Sequence, residues 1–113
     1  MELSIIFKTL GDDLRIRILG LLLERELCVC DIESVLEISQ VNASRHLSKM
    51  KSSGILSSRK TAQWVYHKLS NEFIESYPDL IEYLRIEFGK KPVYKKDIKT
   101  LAALKKKNTD MKC

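Results

Sequence analysis

Residues 29–53 carry two short apolar stripes separated by a brief turn, and that spacing leaves few folds open. Ile32, Val35 and Leu36 repeat at helical intervals. Glu37-Ile38 interrupts the pattern as a turn, and Ser39 offers the short hydroxyl side chain that opens a new helix. The second helix runs to about Ser53, where Gly54 ends it. Two helices joined by so short a turn make a helix-turn-helix. Ile55–Arg59 and Trp64–Leu69 follow, both enriched in strand formers, with Lys60–Gln63 between them as the turn. A hairpin in that place is a wing.

The flanks extend the pattern. Leu3, Ile6, Phe7 and Leu10 line one face of a short helix that Gly11 stops. Asp12-Asp13 places acids at the start of a second helix, whose stripe is Leu14, Ile18, Leu21 and Leu22. A third helix begins near Cys28–Cys30. Beyond the wing, a helix following Pro78 carries Tyr77, Ile81, Leu84 and Phe88, and Gly89 and Pro92 break it. A last helix is expected from about Asp97 to Lys107, with Ile98, Leu101 and Leu104 on one face, and Asn108–Cys113 read as a frayed end. The expected fold is mainly α with a small β-hairpin, a dimeric winged helix-turn-helix. Residues 1–88 form the winged-helix DNA-binding and dimerisation domain, and 89–113 a basic C-terminal helix and tail. At 113 residues the chain is one small domain, a size at which dimerising adds useful stability. Leu3, Ile6, Phe7, Leu10 and the stripe after Pro78 are the expected dimer faces.

Charge is unevenly distributed. Residues 1–88 hold 11 Lys and Arg against 13 Asp and Glu, whereas 89–113 hold nine Lys against two Asp. Between Glu37 and Glu72 there is no acid, yet Arg45, Lys49, Lys51, Arg59, Lys60 and Lys68 all fall there. An acid-free basic block over a helix-turn-helix and wing is what a phosphate-facing surface needs. Even with Gly20 counted, the apolar run Ile18–Leu23 is six residues, too short to cross a membrane. The start Met1-Glu2-Leu3-Ser4 lacks the pattern of a signal peptide, so a cytoplasmic location is expected.

On a helical wheel of residues 40–50, Ala43, Leu47 and Met50 cluster on one side, and Val41, Ser44, Arg45 and Ser48 on the other. The first set is expected to face the core. The second, with Gln40 and Asn42 at the helix start and Lys49 beside it, is expected to face double-stranded operator DNA. Early residues of such a helix reach base edges, where Arg suits guanine and Gln or Asn suits adenine. Arg59 and Lys60 on the wing are expected at phosphate or in the minor groove. His46 and His67, with no third His and no nearby Cys, read as structural.

Glu26-Leu27-Cys28-Val29-Cys30-Asp31 is the most informative segment. Three cysteines, Cys28, Cys30 and Cys113, do not suggest a disulfide framework, and thiolates suit soft ions. A helix N-terminus lowers a thiol pKa. On an ideal helix Cys28 and Cys30 point about 200° apart, too far apart to share an ion, so binding is expected to unwind the first turn of the third helix.

These residues resemble the ArsR/SmtB family of bacterial metal-responsive repressors. The matching stretch runs from Phe7-Lys8-Thr9-Leu10-Gly11-Asp12 to Trp64-Val65-Tyr66-His67-Lys68-Leu69, and Cys28-Val29-Cys30-Asp31 looks like the arsenic and antimony sensors of the family. The resemblance implies a homodimer, operator binding, and release when trivalent arsenic or antimony, as arsenite, antimonite or an organoarsenical, binds Cys28 and Cys30. No cofactor is implied beyond that inducer. Many relatives place a further Cys where this chain has Glu33, so a third ligand is left to Cys113 or to none. No His follows His67, against a C-terminal zinc site, and the wing turn lacks the usual Gly. The alternatives are a repressor of the same fold answering thiol oxidation or cadmium, zinc or lead, a thiol oxidoreductase, and a metal-storage protein. Without Cys-x-x-Cys, a βαβ pattern or a cofactor motif, an enzyme is not expected.

Overall fold

The computed structural model describes residues 1–107, with side chains to residue 104. Most of the helices begin where the sequence supplies a start signal. After α1 (Leu3–Leu10), the Asp12 carboxylate accepts the Arg15 N–H at 3.1 Å and opens α2 (Asp13–Glu24). The strand β1 (Leu27–Cys28) leads into α3 (Val29–Leu36), which ends on Glu37 in the left-handed region at φ 55°. Ser39 accepts the Asn42 N–H at 3.1 Å and opens α4 (Gln40–Ser52), and Gly54, at φ 90°, turns the chain into β2 (Leu56–Thr61) and β3 (Trp64–Leu69). Ser70 caps α5 (Asn71–Ser76), Pro78 begins α6 (Pro78–Phe88), and Pro92 begins α7 (Pro92–Lys107).

α3 and α4 are the helix-turn-helix and β2–β3 the wing, so the fold is a winged helix-turn-helix. Ile6, Ile18, Leu19, Leu21, Leu27, Ile32, Met50, Ile55 and Phe73 are fully buried where α1–α4 meet the sheet. α7 lies against α2 and α3 and adds Leu101 to this core. It is fastened there by Asp97, buried, whose two carboxylate oxygens accept Nε and Nη2 of Arg17 at 2.9 and 2.8 Å.

The structure corrects four expectations. The sheet has three strands, not a hairpin alone: β1 pairs antiparallel with β3, Leu27 opposite His67 and Cys28 opposite Tyr66. The wing turn is two residues, Ala62 and Gln63. Lys60 and Thr61 are strand residues paired with Val65 and Trp64, and without a glycine Ala62 takes the positive φ of 56°. A short helix, α5, lies between wing and α6. Finally, α7 starts at Pro92, not near Asp97, because proline's fixed φ suits a first helical turn and needs no amide hydrogen there.

Candidate DNA-facing surface and thiol segment

α4 separates its faces as its wheel requires. Ala43, Leu47 and Met50 are buried, while Gln40, Val41, Ser44, Arg45, Ser48 and Lys49 are exposed and Asn42 is half-buried. Val41 is 78% exposed, an apolar side chain held in solvent near the helix start. Arg45 donates from Nη2 to Asn42 Oδ1 at 2.6 Å, so these two side chains form one polar unit on the outer face.

His46 lies on the inner side of α4 and is buried. Its Nδ1 accepts the Arg15 Nε–H at 3.1 Å, and Arg15 Nη1 also donates to the Thr9 carbonyl at 3.2 Å. His67 shares a hydrogen bond of 2.9 Å with the Ser58 hydroxyl. Burial lowers both imidazole pKa values below the usual 6.5. Both histidines serve in protein contacts, as their isolation in the sequence suggests.

Between the outer face of α4 and the wing runs a cleft of about 280 Å³, lined by Ser44, Ser48, Lys51, Ser58, His67 and, at one wall, Val29. No carboxylate lines it. Lys51 belongs to the basic block of the sequence, but His67 reads there only as structural, and the packing of β2 on α4 with β3 paired to it brings the two together.

Lys60 on β2 is exposed. Arg59 is also at the surface, but its guanidinium is engaged: Nε and Nη2 donate to the two carboxylate oxygens of Glu26, each at 2.9 Å. The guanidinium also lies over the Tyr66 ring, 4.9 Å from its centroid. Glu26 escaped the sequence reading. Its place inside the Glu26–Asp31 segment was visible, but its partner is 33 residues away.

The thiol segment departs from expectation in a way that changes the chemistry. Cys28 is a strand residue and the N-cap of α3, with extended backbone at φ −87° and ψ 166°. The wheel argument for 200° separation therefore does not apply, and no helical turn needs to unwind to free Cys28. The Cys28 thiol is buried and donates to Asp31 Oδ2 at 3.3 Å. Burial is the largest influence on it and raises its pKa above the ordinary 9.0, the reverse of what a helix N-terminus alone promises. Cys30 is half-buried in the first turn of α3 and, against the expectation of unpaired thiols, is disulfide-bonded, so it offers a thiolate only after reduction. Among the described residues, no three His, Cys, Asp or Glu side chains are grouped to hold a metal ion. Cys113 lies outside the described residues.

The surface of the isolated chain carries a second feature. Leu3, Ile5 and Phe7 of α1 and Tyr83 and Ile86 of α6 are exposed apolar side chains, with Phe7 55% and Tyr83 58% accessible, whereas Ile6, Leu10, Ile81 and Phe88, expected on the dimer faces, are buried in this chain's own core. No helix among the described residues is long and apolar enough to cross a membrane.

Residues 12–58 match the model of the arsR family of bacterial regulatory proteins. The chain is 48% identical over 69 residues to the arsenic resistance transcriptional regulator ArsR1 of Pseudomonas putida, a match covering 60% of this chain and 54% of that protein. It is 42% identical over 76 residues to a cadmium resistance regulatory protein, a CadC homolog of Staphylococcus aureus, covering 66% of this chain and 63% of the relative. The matched part thus spans less than two thirds of either relative's length. Among solved structures, HlyU from Vibrio cholerae superposes with a TM-score of 0.63 at 33% identity, over 72% of this chain and 88% of HlyU.

Proposed function

The chain belongs to the ArsR family of bacterial regulatory proteins, and we propose that it is a homodimeric transcriptional repressor, released from operator DNA when trivalent arsenic or antimony binds Cys28 and Cys30. Gln40, Val41, Asn42, Ser44 and Arg45 then meet base edges, where Arg45 suits guanine and the Val41 methyls suit thymine. Ser48, Lys49 and Lys60 meet the backbone. The exposed apolar side chains of α1 and α6 are the dimer face, and a two-fold dimer reads an inverted repeat.

One observation carries the sensor reading. Cys28 is at once a partner of Tyr66 in the wing sheet and the N-cap of the first helix of the helix-turn-helix. For its sulfur to join an ion it must give up its proton, its bond to Asp31 and its buried position. Each change acts on β1, and β1 is shared by the two elements that meet DNA. Coupling then runs through the sheet, a shorter route than an unwound helix.

The donor set fits the proposed ligand class. Once Cys30 is reduced, the two thiolates are soft donors for a thiophilic ion. They complete the coordination of an organoarsenical, whose arsenic already carries one carbon, while arsenite needs a third donor. The likeness to a cadmium resistance regulator keeps a second reading, a soft divalent metal at the same thiols. Attack of peroxide on Cys28 is slowed, because peroxide reacts with the thiolate and burial keeps Cys28 protonated. Cys30 is disulfide-bonded in this structure, so oxidation stays a third reading.

A mobility-shift titration on the promoter of the neighbouring genes tests the reading. Arsenite, antimonite and a trivalent organoarsenical are expected to free the DNA, with cadmium, zinc and peroxide much less effective. Release by cadmium alone selects the second reading. A complex that no thiol ligand dissolves removes the sensor function.

A further inference from the structure

The sequence keeps carboxylates out of the block between Glu37 and Glu72, but the fold puts one back. Pairing of β1 with β3 brings Glu26 beside the wing, where it takes both Nε and Nη2 of Arg59 at 2.9 Å. Arg59 chiefly, and Lys68 beside it, hold the Glu26 carboxyl below the usual carboxylate range, so Glu26 is an anion here. The Arg59 side chain remains 55% exposed and that of Glu26 28%. This fork-to-fork geometry is also how arginine takes a phosphodiester.

We propose that Glu26 and a DNA phosphate compete for Arg59. In the free protein Glu26 holds the guanidinium against Tyr66. On DNA the guanidinium turns to the phosphodiester backbone, and the strength of the Glu26 pair sets how firmly the wing grips. This rests on the DNA-binding reading above and deepens it. An ion pair this open to water is weak enough to be exchanged, and the Tyr66 ring gives the guanidinium a flat support from which to turn. Glu26 also precedes β1 and lies two residues before Cys28, so displacement of the thiol segment moves the competitor itself.

The test uses the full chain and a random-sequence DNA duplex, because a backbone contact does not depend on base sequence. Affinity is measured by fluorescence anisotropy across a range of potassium chloride concentrations. The proteins are wild type, E26Q, R59A, the E26Q/R59A double variant, and E72Q, which removes an exposed acid on α5. Both side chains of the pair are at the surface and the strands pair through backbone, so the variants are expected to fold. E26Q is expected to tighten binding by up to about fivefold. R59A is expected to weaken it and to reduce the salt slope by about 0.9. In the R59A background, E26Q should do no more than E72Q does in wild type. If E26Q weakens or leaves unchanged the binding of a wild type that does bind DNA, the competition is overturned alone and the pair merely braces the wing. A gain from E26Q that persists without Arg59 also overturns it, as a general field effect. A wild type that binds no duplex overturns the DNA-binding reading beneath it.

Discussion

Arg15 donates its Nε–H to Nδ1 of His46 over 3.1 Å, and this bond ties the start of α2 to the inner side of α4. Arginine has no lone pair to offer, so Nδ1 must be the unprotonated nitrogen and the imidazole neutral. Burial opposes the charged form first. Arg15 and Arg45 add to that, and Asp12, with Oδ1 4.0 Å from Nδ1, works against it. The His46 pKa in the fold is therefore below 6.5, and the unfolded chain binds the proton more readily. The stability this gives is present above about pH 6.5 and is lost as pH falls through the folded value. Denaturation midpoints measured from about pH 8 down to about pH 5 should fall more steeply for wild type than for His46→Gln, which keeps an acceptor but does not titrate. Parallel profiles mean that His46 is not the group responsible.

Asp97 presents the strongest polar tie between α7 and the rest of the fold. Its two oxygens face the Arg17 fork, and it is almost wholly buried. Removing one partner leaves the other without its hydrogen bonds, and since Arg17 keeps some access to water the cost falls in the range of about 1–3 kcal/mol. Asp97→Ala should lower stability by that amount. Amide hydrogen exchange should rise along α7 before it rises along α4, because α7 depends on this pair and on Leu101. Uniformly faster exchange throughout the chain places the pair in the global core instead.

What the sequence discloses here depends on how local each interaction is. The two faces of α4 follow from one residue every 100°, and Ala43, Leu47 and Met50 lie inside as that spacing demands. The cap Ser39 was legible because a cap bonds three residues onward, while Asp12 reads only as an acid at a helix start and the structure makes it the cap. Strand β1 was not, since two residues have no period and become a strand only when His67 and Tyr66 arrive opposite them. The same pairing hid the burial of Cys28, so a rule for exposed helix starts gave the wrong direction for its pKa. The pairs Arg59–Glu26 and Arg17–Asp97 span 33 and 80 residues, and nothing in the local pattern announces either.

The outer face of α4 and the edge of the wing should divide recognition between them. Arg45, hydrogen-bonded to Asn42 on the exposed face of α4, is proposed to read a base, whereas Lys60 on β2 carries a point charge. Arg45→Ala should bring operator and random DNA closer in affinity by about 1–3 kcal/mol. Lys60→Ala should weaken both alike and lower the salt slope by about one. Competition binding at fixed salt separates the two outcomes. Equal discrimination by Arg45→Ala protein and wild type reverses the assignment of that face.

Cys28→Ser separates the proposed sensor site from the proposed DNA-facing surface. A serine hydroxyl at the same place can donate to Asp31 as the thiol does at 3.3 Å, so α3 keeps its start and the Tyr66 pairing is untouched. DNA affinity should stay close to that of wild type, while release by arsenicals disappears, because an alkoxide at this site is neither soft nor accessible near neutral pH. Cys30→Ser should behave likewise. With two sulfurs in the proposed site, a trivalent organoarsenical should dissolve the DNA complex at lower concentration than arsenite. With all thiols reduced, Cys113→Ser should alter neither response, and X-ray absorption should count two sulfurs on the bound organic arsenic. If Cys113→Ser blunts the response to arsenite alone, a third thiolate closes the site and the order of the two inducers reverses. If Cys28→Ser protein still leaves DNA normally on adding either arsenical, the ion binds elsewhere and the link from β1 to the wing has no part in induction.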